Sequence, residues 1–238
     1  NYNNENYTNA LWISEGTTSY YDNLLLHRSK VISKKEYFEL LETDIQKLYE
    51  TPGRKIQSLA SSSFDSWIKF YKIDENTPNS IVSYYLKGAL VSLLIDLELI
   101  KNTKGEKSFD DVFKILWEKY QDNKAGFVEE SFFEIILELG IKDLKRIKKY
   151  IYGTEEINYN LFLHYFGLEI KGTYNKNQDK TKSWIGIKLE QNLKIKFVYS
   201  DSPASKSGLY AFDEIIAINN IRATNKNIRE LLSQLEKN

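Results

Sequence analysis

The hydrophobic repeat of this chain changes once, near residue 170. Up to Gly167 the apolar residues recur at the spacing of amphipathic helices, whereas from Ser183 onwards they alternate with polar residues. The polar stretch from Lys171 to Lys182 is typical of a linker or loop. The pattern therefore predicts two domains, an all-α domain over residues 1–170 and a smaller α/β domain over residues 171–238.

The composition narrows the class of partner. Lys plus Arg and Asp plus Glu both number 33, and this balance argues against the basic face that nucleic acids require. The absence of cysteine excludes disulfides and thiolate metal sites and fits a reducing compartment, so a cytoplasmic location is expected. The sequence does not begin with methionine, so residue 1 is interpreted as something other than a native translation start, in a processed product, an engineered truncation or a fragment.

The longest buried helix is predicted from Asn79 to Ile100. Its broad apolar face is formed by Tyr85, Leu86, Ala89, Leu90, Leu93, Leu94 and Leu97. Lys87, Asp96 and Glu98 interrupt the stretch and argue against a membrane span. We therefore expect a helix in a protein core and no membrane partner.

Two side chains on predicted helices could carry chemistry. Ser14 can cap a helix, which puts Glu15 in the first turn, where a carboxylate complements the helix dipole; that structural role competes with a role as a metal ligand. Tyr85 is either a core residue or a hydroxyl donor in a site. Its neighbour Tyr84 points about 100° away around the helix and is the weaker candidate.

Four segments appear in an order and at a spacing that resemble those of the glycyl aminopeptidase family, which are zinc metalloproteases of the gluzincin type. The four are Trp12 to Tyr21 (which contains Trp-Ile-Ser-Glu-Gly-x-Thr), Gly53 to Trp67, Tyr84 to Gly88, and Ser202 to Asn220. The resemblance implies a multidomain α + β protein. The all-α helical C-terminal part of a thermolysin-like peptidase domain would be followed by a small α/β PDZ domain, which is expected to be either short at its C-terminus or completed by another element.

The resemblance also assigns roles and an activity. Glu15 corresponds to the glutamate that binds Zn²⁺ in the family. Tyr85, in the Tyr-x-Lys-Gly sequence, corresponds to the tyrosine that donates a hydrogen bond to the oxyanion of the tetrahedral intermediate. The implied enzyme is a metallo-aminopeptidase that removes small N-terminal residues, Gly or Ala, from peptide substrates.

The implied zinc site also needs two histidines and a general base from an upstream His-Glu-x-x-His helix. This sequence contains no such motif, and its two histidines, His27 and His164, lie in no ligand motif and are interpreted as structural. We therefore expect the chain alone to hold little or no Zn²⁺ and to be inactive, with the missing N-terminal part of the same protein as its partner.

A PDZ domain would supply a peptide-binding groove. Trp184, Ile185, Gly186 and Ile187 resemble the loop that binds the carboxylate at a peptide C-terminus through backbone N–H groups. The peptide would add as a strand opposite the helix that carries Ile228 and Leu231. A domain that only docks on its neighbour remains the alternative. A non-catalytic peptide-binding or scaffold protein that acts through its PDZ domain is the alternative to the enzyme.

Overall fold

The computed structural model describes residues 3–122, 126–171 and 184–235 of the chain. It divides into two compact units, Asn1–Lys72 with Ser80–Ile170, and Ile73–Asn79 with Lys171–Asn238. The short segment Ile73–Asn79 belongs to the second unit, although the rest of that unit lies about a hundred residues later in the chain. The sequence pattern did not indicate this long-range contact. Of the predicted linker, residues 172–182 lie outside the described residues.

The first unit is helical throughout its described part. Its longer α-helices are α1 (Thr17–Arg28), α2 (Lys34–Tyr49), α3 (Leu59–Phe64), α5 (Tyr84–Asn102), α6 (Phe109–Tyr120), α7 (Glu129–Leu139) and α8 (Leu144–Tyr152), with α9 (Asn160–Leu163) at the end. The four-residue helix α4 (Thr77–Ser80) includes the point along the chain, between Asn79 and Ser80, where the second unit ends and the first resumes. Two π-helical turns, Trp12–Gly16 and Ser66–Phe70, precede α1 and follow α3. Short 3₁₀ turns occur at Pro52–Lys55 and His164–Phe166.

Local sequence signals explain several of these boundaries. Ser33 and Glu36 form a capping box at the start of α2, since the Ser33 hydroxyl accepts from the Glu36 N–H at 3.2 Å and the Glu36 carboxylate accepts from the Ser33 N–H at 2.7 Å. Asp143 caps α8 in a similar way, by accepting from the N–H of Arg146. The polar residues at these positions satisfy N–H groups that the first turn of a helix leaves unpaired.

Helix α5 is the centre of the first unit. Its buried residues include Leu90, Val91, Leu94, Ile95 and Leu99, each no more than 2% exposed. Helices α1, α2, α3, α6, α7, α8 and α9 all contact it. The prediction that this helix begins at Asn79 was wrong by five residues, because Ser83 is its N-cap and accepts from the N–H of Leu86.

The stretch Thr77–Asn102, which contains α5, is long and apolar enough to cross a membrane by length and composition. In this protein 72% of its apolar window is buried inside the fold. A core helix passes the same test, so its length and composition alone are weak evidence for a membrane span.

The second unit contains two small antiparallel sheets in its described part. Strand β1 (Ile187–Leu189) pairs with β2 (Ile195–Val198), and β3 (Ala217–Ile218) pairs with β4 (Ile221–Arg222). The helices are α10 (Pro203–Lys206) and α11 (Ile228–Ser233). A small core is formed by Leu193, Ala223, Ile228 and Leu231.

Turn chemistry in the second unit follows the sequence closely. Ser202 caps α10 through the N–H of Ser205, with Pro203 in the first turn. Asn219 and Asn220 both have positive φ, 51° and 64°, and they join β3 to β4 as a tight turn. Strand β3 is short and its flank is exposed, since Ile216, immediately before it, lies at the surface.

Asn79 connects the segment Ile73–Asn79 to another part of the second unit. The Asn79 amide donates to the carbonyl oxygen of Val198 at 2.8 Å, and its oxygen accepts from the N–H of Ser200 at 2.9 Å. Two bonds from one planar amide fix both the distance and the orientation of this segment.

Candidate active site

Glu15 lies on the π-helical turn Trp12–Gly16, which a buried tryptophan holds in place. Trp12 is fully buried, and its indole Nε1 donates to Oε1 of Glu129 at 3.0 Å. Its backbone N–H donates to Oγ of Ser63 at 3.1 Å. The ring of Phe132 meets the indole edge-on, with centroids 5.5 Å apart. These contacts fix the turn, and therefore Glu15, against the helical core.

The helix that carries Glu15 begins earlier than predicted. Residue Leu11 already has helical dihedral angles, and Ser14 lies inside the π turn, where its hydroxyl donates to the carbonyl oxygen of Leu11 at 3.2 Å. The prediction that Ser14 caps the helix was therefore wrong. The N–H of Trp12, near the true start, is satisfied by Ser63 from a distant segment instead.

The π turn and helix α5 meet at two glycines. A Cβ atom added to Gly16 would lie 2.6 Å from Cα of Gly88, and one added to Gly88 would lie 2.9 Å from Cα of Gly16. No side chain fits in this space, so the two backbones approach as closely as glycine permits. Glu15 and the first turn of α5 are consequently held side by side.

The segment that leads into α5 is also held from several directions. The N–H of Val82 donates to Oε1 of Gln57 at 3.1 Å, and the hydroxyl of Ser62 donates to the carbonyl oxygen of Val82. A Cβ on Gly53 would collide with the backbone of Ile81. Gly53, Gln57 and Ser62 all belong to one of the family-like segments, from Gly53 to Trp67. Their contacts position the residues just before α5, and so the first turn of α5, which carries Tyr85.

Tyr85 stands in a cluster of tyrosines. Its ring stacks on that of Tyr84 with centroids 4.6 Å apart, and both rings lie against Phe70. The hydroxyl of Tyr71 lies 3.0 Å from that of Tyr84 and 3.4 Å from that of Tyr85. The expectation that Tyr84 points away from Tyr85 does not account for this stacking. The two rings meet because both turn toward Phe70, at the N-terminal end of α5.

The environment of the Tyr84 and Tyr85 hydroxyls raises the pKa of both. Burial raises the pKa of Tyr84, and its hydrogen bond to Tyr71 acts in the same direction. The hydrogen bond to Tyr71 also raises the pKa of Tyr85, and the nearby negative charge of Glu15 adds to that effect. Tyr85 therefore keeps its proton at neutral pH, which is the state that can donate a hydrogen bond.

The Glu15 carboxylate is partly buried and close enough to Tyr85 to influence its pKa. Within residues 3–122, 126–171 and 184–235, it takes part in neither a hydrogen bond nor an ion pair. A carboxylate that is held by its backbone and left without a protein partner suits a hard or borderline metal ion such as Zn²⁺. The residue fits the role of one ligand.

The rest of a metal site is not supplied by the described part of the chain. No group of three or more His, Asp or Glu side chains converges there. His27 stacks on Tyr37 with ring centroids 5.5 Å apart, and its Nδ1 lies 3.4 Å from the carbonyl oxygen of Ile32. This environment is that of a packed side chain at the end of α1.

Lys87, two residues after Tyr85, is a buried amine. It is 2% exposed, and its Nζ lies 3.5 Å from the carbonyl oxygen of Gly153, just beyond the C-terminus of α8. Burial lowers the pKa of Lys87 to about 8, against the opposing effect of the charges on Glu156 and Glu155. The lysine links α5 to the end of α8, where a cation is favoured by the helix dipole.

The predicted peptide-binding residues of the second unit are placed in two groups. Ile185, partly buried, contributes to the lining of an apolar cavity of about 580 Å³, together with residues of β3 and the side chains of Leu232 and Leu235. Trp184 is exposed, and Gly186 has a φ of +80°. Ile228 and Leu231 are buried in the small core rather than in the cavity lining.

Sequence reasoning missed the residues that support the site. Tyr71, Ser63 and Gln57 act through long-range contacts, and no spacing rule links them to Tyr85 or to Trp12. The signal that was available is the segment from Gly53 to Trp67 itself, which carries Gln57, Ser62 and Ser63 within a family-like pattern. Only the fold shows that this segment contacts both the turn that carries Glu15 and the residues that precede α5.

The chain is similar to known aminopeptidases. Residues 1–91, which include Glu15, Tyr71 and Tyr85, match the family model described as M61 glycyl aminopeptidase. A crystal structure of an aminopeptidase N family protein from Idiomarina loihiensis has a TM-score of 0.87 and 33% sequence identity over 98% of this chain. The match covers 42% of that solved chain, so the present sequence corresponds to less than half of its length. A search of curated proteins found no match. The family match over residues 1–91 and the solved structure, which is similar over nearly all of this chain, support assignment to the M61 glycyl aminopeptidase family.

Proposed function

We propose that the protein containing this chain is a zinc-dependent aminopeptidase that removes small N-terminal residues from peptides. The observation that carries the proposal is the juxtaposition of Glu15 and Tyr85, which the contact of Gly16 with Gly88 fixes. An unpartnered carboxylate beside a protonated tyrosine hydroxyl matches the metal ligand and the hydroxyl donor that peptide hydrolysis by a zinc enzyme requires.

Glu15 would supply one carboxylate ligand to the metal. When bound, Zn²⁺ would polarise the substrate carbonyl and make a nucleophile from water at neutral pH. Since the sequence contains no His-Glu-x-x-His motif, we place the remaining ligands and the general base on another part of the same protein. The chain by itself is therefore proposed to be inactive.

Tyr85 would act on the substrate directly. Negative charge develops on the carbonyl oxygen as water attacks, and a hydroxyl donor that is already in place stabilises that charge without reorganisation. The stacking of its ring on Tyr84 and Phe70 restricts the phenol to one region of space. The fixed orientation of the Tyr85 hydroxyl would be the contribution of this tyrosine to the rate of peptide hydrolysis.

The test is hydrolysis of Gly- and Ala-anilides by the natural full-length protein that contains this chain, with and without a zinc chelator. We expect chelation to abolish turnover and Tyr85→Phe to lower kcat by about 100-fold or more, as when one oxyanion donor is lost. Tyr165→Phe is a matched control, since Tyr165 is exposed and is not part of the cluster. Turnover that is unaffected by both the chelator and Tyr85→Phe would refute the proposal.

A second candidate function is binding of a peptide C-terminus by the second unit, as in a PDZ domain. Among the residues that the structure describes, β1 pairs only with β2, so its other edge is open to strand addition. In the same described part, the backbone N–H groups of Ile185 and Gly186 donate no hydrogen bond to the protein. These two unpaired amides, beside an apolar cavity, would suit a carboxylate with an apolar last residue.

Binding would be measured by titrating the protein with short fluorescent peptides that end in an apolar residue. The same peptides with an amidated C-terminus are the control, because amidation removes the charge that the loop would bind. Equal affinity for both forms, or no binding by either, would contradict this second function.

A further inference from the structure

We propose that Tyr71 is a positioning residue for the hydroxyl of Tyr85, and that it connects this hydroxyl to the buried hydroxyl of Tyr84. The inference rests on the proposed function, in which Tyr85 donates to the oxyanion. It adds a residue that no sequence motif singled out, located at the end of the π-helical turn Ser66–Phe70.

The position of Tyr71 is fixed by its own segment. Its backbone N–H donates to the carbonyl oxygen of Ser66 at 3.0 Å, which closes the π-helical turn, and Ser66 is buried. Its ring contacts those of Trp67 and Phe70, with centroids 5.8 Å and 5.4 Å away. Contacts with two rings limit the directions in which the half-exposed phenol can present its hydroxyl. Turns of this kind occur frequently at functional sites.

The hydroxyl of Tyr71 bridges two tyrosines of different exposure. Tyr84 is 1% exposed, so its hydroxyl needs a partner inside the protein, and the hydroxyl of Tyr71 lies 3.0 Å away. Tyr85 is partly exposed, and its hydroxyl lies 3.4 Å from the same oxygen. That second distance is long for an O–H···O bond, as catalytic hydrogen bonds often are before substrate binds.

The direction of the bonds gives the bridge its function. If Tyr84 donates to Tyr71 and Tyr71 donates to Tyr85, the proton of Tyr85 is left to point toward a substrate oxygen. Hydrogen bonds in such a series strengthen one another. Without the hydroxyl of Tyr71, the phenol of Tyr85 keeps its stacking but loses the bond that orients its oxygen.

The expected effect is on the chemical step rather than on substrate binding. Loss of one such bond lowers kcat of the full-length protein by about 3- to 10-fold in Tyr71→Phe, with KM little changed. Zinc content stays at the parent level, since Tyr71 is not a ligand. Tyr165→Phe removes a hydroxyl of similar exposure and leaves kcat unchanged.

The decisive experiment is a double-mutant cycle on anilide hydrolysis with Tyr71→Phe, Tyr85→Phe and the double variant. We expect the double variant to equal Tyr85→Phe alone, because Tyr71 has nothing to position once the hydroxyl of Tyr85 is gone. If Tyr71→Phe lowers kcat by the same factor in both backgrounds, or leaves it unchanged in the parent, the inference is wrong while the role of Tyr85 stands. If Tyr85→Phe has no effect on kcat, both the assigned role of Tyr85 and this inference fail.

Discussion

Gly16 and Gly88 touch through their backbones, with room for no side chain between them, and this contact joins the two segments that carry Glu15 and Tyr85. A helix crossing normally has side chains at the interface and an interaxial distance of about 8–10 Å. Two glycines bring the π-helical turn and α5 closer than that. The pair explains why a glycine follows Glu15 directly and why another lies three residues after Tyr85.

The glycine contact predicts the outcome of Gly88→Ala. The added methyl group would lie 2.9 Å from Cα of Gly16 and 3.1 Å from the carbonyl oxygen of Trp12, both of them backbone atoms that yield poorly. We expect the free energy of unfolding to fall by about 1–3 kcal/mol from overpacking, which more than offsets the better helix propensity of alanine. Urea unfolding measures the change. Lys101→Ala, at an exposed position of the same helix, should shift it by about 0.5 kcal/mol or less; equal losses in the two variants would contradict the packing account.

The hydroxyl of Ser63 is predicted to stabilise the turn that carries Glu15. Ser63→Ala removes the acceptor of the buried Trp12 N–H and should cost about 1–3 kcal/mol, as expected when a buried donor is left unpaired. The matched control is Ser61→Ala on the same short helix, since the Ser61 side chain is exposed and forms no hydrogen bond with the described residues. A thermal unfolding midpoint that falls equally in both variants would show that the Trp12 contact is unimportant.

Tyr20 and Tyr21 offer a comparison of a buried and an exposed hydrogen bond to aspartate. The hydroxyl of Tyr20 donates to Asp96, which is 4% exposed, whereas that of Tyr21 donates to the exposed Asp110 at 2.6 Å. Tyr20→Phe should cost about 2–3 kcal/mol because a buried carboxylate loses a partner, and Tyr21→Phe about 1 kcal/mol or less. Chemical denaturation of the two variants tests this order, and the reverse order would contradict it.

Lys87 should make stability rise with pH in the alkaline range. Its pKa is about 8 in the folded protein, below its ordinary value of 10.5, so the unfolded chain binds more protons between these values and folding becomes more favourable as pH increases. A shift of this size corresponds to about 3 kcal/mol at most. The free energy of unfolding, measured from pH 7 to 10, should therefore rise for the parent relative to Lys87→Met.

The methionine variant keeps the apolar stem of Lys87 and removes the amine, so other titrating groups cancel in the difference between the two curves. Lys101→Met removes a charge from an exposed position of the same helix and controls for net charge. If the stability of the parent and of Lys87→Met changed in parallel with pH, burial would not lower the pKa of the Lys87 amine.

Local signals in the sequence predict much of the fold and part of the site. Capping residues such as Ser33 and Ser202, and the positive φ of Asn219 and Asn220, follow from side-chain chemistry within a few residues. The start of the helix that carries Glu15 could not be predicted from local signals, because Ser63, about fifty residues away, accepts the hydrogen bond from the N–H of Trp12. Local propensity contains no information about such a partner.

The candidate site shows the same division. Glu15 and Tyr85 were singled out by resemblance to a family motif, and the structure places them side by side. Tyr71 could not be found in that way, since its relation to Tyr84 and Tyr85 depends on the turn that follows α3 and on the packing of Phe70. Contacts between segments that are distant in the sequence determine which side chains surround Tyr85. The spacing of hydrophobic residues carries no information about those contacts.

The most direct test of the account is the zinc affinity of the natural full-length protein with Glu15→Gln. Glutamine keeps the shape of the side chain but lacks the charge that a metal ligand supplies. We predict one zinc per parent molecule and an affinity lowered by at least about 100-fold in the variant, because even residues that only orient a ligand contribute 10- to 100-fold. Glu42→Gln, at an exposed position of α2, should bind zinc like the parent. A Glu15→Gln protein that binds zinc as tightly as the parent would contradict the assignment of Glu15, and with it the proposed site.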